Sequence, residues 1–206
     1  MADLAALCKK HGFSYPYRAY SADNFRWFLI SPIESIGDME KVFAEMEMMS
    51  EKAGSEWASV GEREHDSLES WSLGVYMSRP DLSYAPENPR IQESEGTFIR
   101  WDVYRLKFDD EEKVFDVLRR NAALCRSKGI RDGYTVILAF MENVMPVLLI
   151  ARHARSEADF IENRDLINEQ LGDEHWALVK EFSRYIRSMV SISGRYVTEQ
   201  SYMKSE

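Results

Sequence analysis

The sequence predicts an α+β fold in which the order β-α-β-β-α-β is used twice, the first time without its opening strand. Three observations lead to this prediction: a collinear internal repeat, strand-like and helix-like apolar spacing in that order, and a proline-rich segment between the copies. The predicted boundaries are 1–79 for the incomplete first copy, 80–96 for the linker and 97–206 for the second copy.

The internal repeat is clearest near the start of each copy. AALCKKHG at 5–12 and AALCRSKG at 122–129 are identical at five of eight positions. Further matches follow in the same order in both halves: Tyr17 with Tyr134, Gly54 with Gly172, and Ser83-Tyr84 with Ser201-Tyr202. A collinear series of this kind indicates a duplication, whereas one short match would not.

The second copy shows the complete order of elements. β-Branched and aromatic residues indicate its strands, apolar residues spaced by three or four indicate its helices, and capping residues mark the helix ends. The predicted elements are a strand at 97–108, a helix from Asp109-Asp110 to Gly129, strands at 133–141 and 145–153, a helix from Ser156 to 188 interrupted at Gly172, and a strand at 189–198.

The first copy repeats this order without its opening strand. Its predicted elements are a helix at 2–11, strands at 15–22 and 25–33, a broken helix at 37–53 and 55–68, and a strand at 70–79. Either the sequence starts late relative to its ancestor or the strand was lost. The gap leaves a sheet edge that needs a cover, and we therefore expect a homodimer.

The β-α-β-β-α-β order is that of a ferredoxin-like unit, with both helices on one face of an antiparallel sheet. Two further marks are the Lys-Gly-Ile-Arg-Asp-Gly-Tyr passage at 128–134 and the tryptophans Trp57 and Trp176 in the broken helices. In these features the chain resembles the dimeric α/β-barrel superfamily, most closely its NIPSNAP-like and antibiotic-biosynthesis-monooxygenase-like branches.

The resemblance implies two antiparallel sheets packed into an α/β barrel, with a small organic molecule bound between them. The superfamily includes cofactor-free oxygenases, isomerases, haem enzymes and proteins without an assigned activity, so the fold does not name a reaction. Cofactor-free oxygenase or isomerase chemistry is the first hypothesis. A haem enzyme on the same scaffold and a non-enzymatic interaction or assembly module are the alternatives.

The composition excludes several classes of protein. The chain has 206 residues and a net charge of −9, without a Lys/Arg-rich block, so we predict no nucleic-acid partner. It has no membrane-spanning run and no signal peptide, which predicts a cytoplasmic protein with no membrane partner. Two cysteines outside any CxxC pair, and no HExxH, GxGxxG or GxSxG motif, predict no metal site and no bound cofactor.

The strand at 97–108 carries the candidate ligand site. Side chains alternate along a strand, so Arg100, Asp102 and Tyr104 share one face. We expect that face to point into the barrel, where the arginine orients a small carbonyl or phenolic ligand and Tyr104 or Asp102 accepts a proton. The apolar residues Ile99, Trp101 and Val103 would then pack on the helices. The alternative interpretation is an internal ion pair that satisfies itself.

Four further residues complete the candidate set. Arg18 and Tyr20 occupy the corresponding strand face in the first copy, and Trp27 is expected to line the same space. His153, at a strand end, is a candidate base or, by resemblance to the chlorite-dismutase-like branch, a haem ligand. A surface histidine is the alternative interpretation of His153.

Overall fold

The computed structural model of the chain describes residues 2–65 and 67–203. In these ranges it has five α-helices and seven strands. The helices are α1 Ala2–His11, α2 Asp38–Ala53, α3 Ser55–His65, α4 Glu111–Ser127 and α5 Glu157–Ser183. The strands are β1 Arg18–Ala22, β2 Arg26–Ile30, β3 Val75–Ser78, β4 Phe98–Leu106, β5 Thr135–Met141, β6 Val147–Ala154 and β7 Ile186–Tyr196.

The predicted α+β class and the order of the elements are confirmed. The main differences lie at element ends. The last helix ends at Ser183 rather than 188, and β7 starts at Ile186, because Tyr185 and Ile186 favour a strand more than a helix. The strand predicted at 70–79 shortens to the four residues of β3.

The chain forms two compact units, one of residues 1–72 with 195–206 and one of residues 73–194. These units cut across the predicted copies. Strand β3 of the first copy pairs with β5 of the second, and the last residues of the second copy pack in the first unit. The boundaries 1–79, 80–96 and 97–206 therefore describe the repeat in the sequence, and they stay a prediction.

The second unit is a sheet with strand order β7-β4-β6-β5-β3, covered on one face by α4 and α5. The pairs β4/β6, β5/β6 and β3/β5 are antiparallel. Leu148 and Ile150 of β6 pack against Val114 and Leu118 of α4 and Leu171 of α5. This apolar layer fixes which face of the sheet meets the helices.

The predicted linker at 80–96 is part of the second unit. Leu82 and Tyr84 are buried in its core, as expected from the sequence. Arg90 is held by two carboxylates, with Nε 2.9 Å from Asp132 Oδ1 and Nη1 2.6 Å from Asp159 Oδ1. These contacts make the segment a fixed part of the fold rather than a flexible tether.

The first unit is built on the antiparallel hairpin of β1 and β2, whose register runs from Arg18 opposite Ile30 to Ala22 opposite Arg26. Its core contains residues of α1, β1 and α2 together with Tyr202 near the end of the chain. The N-terminal unit is therefore completed by C-terminal residues.

Two tyrosine pairs make matching contacts in the two units. In the second unit, the backbone amides of Tyr84 and Tyr134 donate to each other's carbonyls at 3.0 and 2.9 Å, and their rings lie 6.3 Å apart. In the first unit, Tyr17 and Tyr202 do the same at 2.8 and 2.9 Å, also with rings 6.3 Å apart. The first pair joins the predicted linker to the second copy, and the second pair joins the end of the second copy to the first.

The neighbouring polar contacts follow the same correspondence. The Tyr84 hydroxyl donates to the Ile130 carbonyl at 2.7 Å, and the Tyr202 hydroxyl donates to the Phe13 carbonyl at 2.7 Å. The offset between AALCKKHG and AALCRSKG aligns Phe13 with Ile130. The segment after the last strand of each predicted copy thus docks on the other copy.

The preceding serines repeat the pattern. The Val136 amide donates to Ser83 Oγ at 2.8 Å, and the Ala19 amide donates to Ser201 Oγ at 2.9 Å. Ala19 and Val136 are again aligned by the same offset. Serine side chains here supply the acceptor that each strand amide needs.

Two glycines provide a matched test of the predicted helix break. Gly172 has φ 65° and ψ −153° inside α5, a conformation that only glycine adopts readily, whereas Gly61 in α3 has no positive φ. No heavy atom lies within 4 Å of an added Cβ at either position. We expect Gly172→Ala to lower the free energy of unfolding by about 1–3 kcal/mol and Gly61→Ala to raise it by about 0.5–1 kcal/mol. Urea unfolding measures this free energy for both variants. A change in the same direction for both would contradict the explanation from backbone conformation.

Candidate functional site

The polar face of β4 meets the helices. Pairing with β6 places Asp102 opposite Ile150 and Tyr104 opposite Leu148, and both apolar partners belong to the core beneath α4 and α5. The expectation that Arg100, Asp102 and Tyr104 point away from the helices is therefore wrong. Alternation along one strand defines two faces, but the neighbouring strand decides which face is covered. The face away from these helices carries Ile99, Trp101 and Val103.

Asp102 is the centre of a nearly buried ion-pair network, with 7% of its surface exposed. Its Oδ2 accepts from Arg152 at 2.7 Å, and its Oδ1 accepts from Ser191 at 2.6 Å and from Arg100 at 3.3 Å. Arg100 also donates to Ser193 at 2.9 Å. This is the self-satisfied ion pair of the alternative interpretation. The carboxylate therefore positions Arg152.

Tyr104 belongs to the apolar core rather than to an open site. Its ring lies edge-on to Phe182 with centroids 5.0 Å apart. Burial, followed by the nearby charge of Asp102, raises the pKa of Tyr104 to about 12. A phenol with that pKa stays protonated at neutral pH, so its position argues against the predicted role as a base.

The three candidates from the first copy belong to the first unit. Ala19 packs in the core with α1 and α2, so Arg18 and Tyr20 lie on the opposite face of β1. The polar residues of β4 face the helices of their own unit, so the predicted correspondence between the two strand faces does not hold. Trp27 pairs with Ser21, which places it on the same face as Ala19 and not beside Tyr20. The prediction that Trp27 shares the space of Arg18 and Tyr20 is therefore wrong.

His153 is exposed and lies opposite Ile99, on the face of β6 away from α4 and α5. An exposed side chain does not form the enclosed site of an axial haem ligand, so its position gives the haem hypothesis no support. Among the described residues, no group of three or more His, Cys, Asp and Glu side chains converges to hold a metal ion.

A second polar cluster, which we call the His175 cluster, lies between the sheet and the helices. It consists of Asn121, Cys125, Tyr134, Arg152 and His175. His175 Nδ1 is 3.1 Å from Asn121 Oδ1, and Asn121 Nδ2 donates to Tyr134 Oη at 3.1 Å. The Arg152 guanidinium carbon is 5.9 Å from the centre of the Tyr134 ring. The cluster thus continues the Asp102 network through Arg152.

The hydrogen bonds select one tautomer of His175. Because Asn121 donates through its Nδ2, its Oδ1 accepts, and His175 Nδ1 carries the proton. Nε2 then holds a lone pair, and within the described part of the chain it has no hydrogen-bond partner. Burial, and next the charge of Arg152, lower the pKa of His175, which keeps the imidazole neutral at pH 7.

The cysteine of the cluster is not a nucleophile. Burial raises the pKa of Cys125 to about 11, and burial has the same effect on Cys8. A thiol reacts as its thiolate, which is scarce at neutral pH under these conditions. The group in the cluster that is suited to acid–base chemistry is the imidazole.

Sequence reasoning missed the His175 cluster because His175 stands in an acidic helix and resembles a solvated residue. Its members come from α4, α5, β6 and the segment before β5, so no local spacing reveals them. One signal was available. The repeat aligns Asn121 with Leu4, and a polar residue that replaces an apolar one at a core position indicates a specialised site in one copy.

An open groove of about 380 Å³ lies between α1 and α3 in the first unit. Its charged residues already pair with one another, with Lys10 Nζ 2.6 Å from Glu56 Oε1 and Arg63 Nη2 2.9 Å from Asp3 Oδ2. Exposed pairs of this kind contribute little to stability and offer no unmatched charge to a ligand.

No helix in the described ranges is long and apolar enough to cross a bilayer.

Solved structures with the same fold include three that cover most of this chain. An anthrone oxidase-like protein matches with TM-score 0.58 and 14% identity over 89% of this chain and 76% of its own. A provisionally assigned monooxygenase from Lactobacillus acidophilus NCFM matches with TM-score 0.55 and 7% identity over 99% of this chain and 90% of its own. Another from Fusobacterium nucleatum matches with TM-score 0.54 and 8% identity over 96% and 83%.

No protein-family profile and no curated protein matches the chain. At 7–14% identity, the structural likeness shows a shared fold and not a shared activity. The resemblance to the dimeric α/β-barrel superfamily stays a prediction, and so does the narrower NIPSNAP-like resemblance.

Removal of the Asp102 charge tests the ion-pair network. We expect Asp102→Asn to destabilise by about 1.5–3 kcal/mol, because two arginines and a serine lose a nearly buried charged acceptor. The matched control is Asp165→Asn, whose carboxyl is 64% exposed beside Arg164, with an expected change within about 0.5 kcal/mol. Urea unfolding measures the loss of unfolding free energy in both variants. Similar losses would contradict a stabilising role of the Asp102 network.

Proposed function

We propose that the chain is a two-copy, ferredoxin-like α/β-barrel protein that binds a small aromatic carbonyl or phenolic compound and removes a proton from it through His175. The observation that carries the proposal is the half-buried, neutral imidazole whose Nδ1 is anchored on Asn121. The matched tyrosine contacts of the two units support the two-copy organisation. The shared fold supports the class of protein.

The cluster supplies what an enolisation needs. His175 Nε2 accepts the proton, while the positive charge of Arg152 and the hydroxyl of Tyr134 stabilise the negative oxygen that develops on the substrate. Burial raises the pKa of Tyr134 to about 12, so this phenol remains a hydrogen-bond donor. Asp102 holds Arg152 in place through a 2.7 Å hydrogen bond.

The substrate class that we expect is an aromatic ketone with an acidic C–H group. Trp176 is 53% exposed, and its ring lies 5.7 Å from that of His175, which offers a flat surface beside the base. The structural neighbour described as anthrone oxidase-like points to the same chemical class, since anthrone is a tricyclic ketone with an acidic methylene group.

The oxygenase reaction follows from that first step. The carbanion formed by loss of the proton adds dioxygen and takes up a proton to give a hydroperoxide. The hydroperoxide loses water, so that the methylene becomes a carbonyl and one oxygen atom leaves as H₂O. No metal or organic cofactor is needed for this balance. In the isomerase alternative, the proton returns to another atom and no dioxygen is consumed.

The proton-abstraction step is tested with anthrone in anaerobic D₂O, where NMR follows exchange of the methylene protons. We expect the wild-type protein to accelerate the exchange and His175→Ala to lower the rate by about 10²–10⁴-fold. His153→Ala is the matched control, because it removes an exposed imidazole from the opposite face. Loss of activity in both variants, or no exchange above buffer in the wild type, would reject the proposal.

Admission of air to the same sample separates the two reaction types. Formation of anthraquinone with consumption of one dioxygen per substrate supports the oxygenase, whereas exchange without oxygen uptake supports the isomerase. Asn121→Leu introduces the residue type that the first copy has at the aligned position, Leu4. This variant keeps the imidazole of His175 but removes the hydrogen bond from its Nδ1 to Asn121. We expect a slower exchange with a changed pH profile; an unchanged profile would contradict the positioning role.

The lowered pKa of His175 predicts a pH dependence of stability. The folded state disfavours the protonated imidazole. The stabilising contribution of the neutral form is therefore complete above the ordinary histidine pKa of about 6.5 and is lost as the pH falls from there through the lower folded pKa. We expect the wild type to lose more stability than His175→Ala between pH 7 and 5. Urea unfolding at both pH values checks this, and parallel losses would contradict it.

A further inference from the structure

Strand β2 is an edge strand with an apolar sequence. It reads Arg-Trp-Phe-Leu-Ile, and within the described residues it pairs only with β1. Trp27, Leu29 and Ile30 are 42%, 45% and 47% exposed. Natural edge strands usually carry charges, prolines or bulges that prevent pairing with other chains. After Arg26, this one carries none of these features.

In the second copy, the strand that corresponds to β2 is paired on both of its edges. By its place in the repeat, β6 corresponds to β2. β6 pairs with β5 on one side and, on the other, with β4 in eight antiparallel residue pairs. Within residues 2–65 and 67–203, β2 has the counterpart of β5, which is β1, but not that of β4. The edge is therefore shaped for one more antiparallel strand.

We propose that this edge is covered by β2 of a second copy of the chain, in antiparallel pairing centred on Phe28. The pairing would place Phe28 opposite the Phe28 of the second copy, Trp27 opposite Leu29, and Arg26 opposite Ile30. Each of the four consecutive apolar residues from Trp27 to Ile30 gains a cross-strand neighbour in this register.

A second copy fits this edge better than an unrelated peptide for two reasons. The β2 sequence places no like charges opposite each other in the centred register, because its one charged residue, Arg26, meets an isoleucine. A two-fold arrangement uses the same edge on both copies, so both edges are covered at once and the assembly stops at two. The proposal is independent of the proposed enzymatic function.

A cysteine scan tests the centred register. In the proposed dimer, Phe28→Cys places two thiols directly opposite each other, within the Cα separation that a disulfide requires. Phe25→Cys is the matched control, because Phe25 is fully exposed but six positions out of register with its symmetry mate. The native Cys8 and Cys125 are buried and do not compete.

Under mild oxidation, we expect a covalent dimer from Phe28→Cys and none from Phe25→Cys on non-reducing gels. Equal cross-linking of the two variants would indicate random collision and would overturn the proposal. Absence of cross-linking from Phe28→Cys in protein that retains the wild-type circular dichroism would also overturn it.

Light scattering after size-exclusion chromatography tests the interface without a covalent bond. We expect a concentration-dependent dimer whose apparent Kd rises about 2- to 30-fold in Leu29→Lys, because two symmetric Trp–Leu cross-strand pairs are lost. Leu166→Lys, which changes another exposed leucine, on α5, is expected to leave the Kd unchanged. A strict monomer, or a dimer that responds to Leu166→Lys and not to Leu29→Lys, would overturn the proposal.

Discussion

The second unit is organised around a carboxylate that the fold has to neutralise. Asp102 lies under two helices, beside a mainly apolar core. A buried charge is tolerated only with good partners, and two arginines and a serine supply them from three different strands. One of these arginines extends the network to the tyrosine, asparagine and histidine above it. The candidate site thus depends on the same interaction that permits the polar face to be buried.

The docking of terminal segments across the predicted copies is the second organising feature. Tyr84 and Tyr202 make equivalent backbone, hydroxyl and ring contacts, each on the copy to which it does not belong in sequence. The compact units consequently differ from the sequence repeats. The two copies differ at the position of Asn121, which aligns with Leu4. Asn121 hydrogen-bonds both His175 and Tyr134, whereas a leucine side chain forms no hydrogen bonds.

The order of the elements was predictable because it depends on local spacing and on capping. Ser156 accepts a hydrogen bond from the Asp159 amide, and Gly172 breaks α5 where the repeat indicated. The orientation of β4 was not predictable, since Leu148 and Ile150 on the partner strand decide which face is covered. The His175 cluster was hidden for a related reason: it exists only when α4, α5 and β6 are assembled.

Completion of the first unit by residues 195–203 has a consequence for synthesis. Tyr202 fills the core around Phe13 and Tyr17, so the first unit lacks part of its interior until Tyr202 has left the ribosome. Contacts of such long sequence separation form slowly, because the loop must be closed before they contribute. Residues 73–194 contain their own sheet and helices, and they are the part suited to fold first. The order of folding is then the reverse of the order of translation.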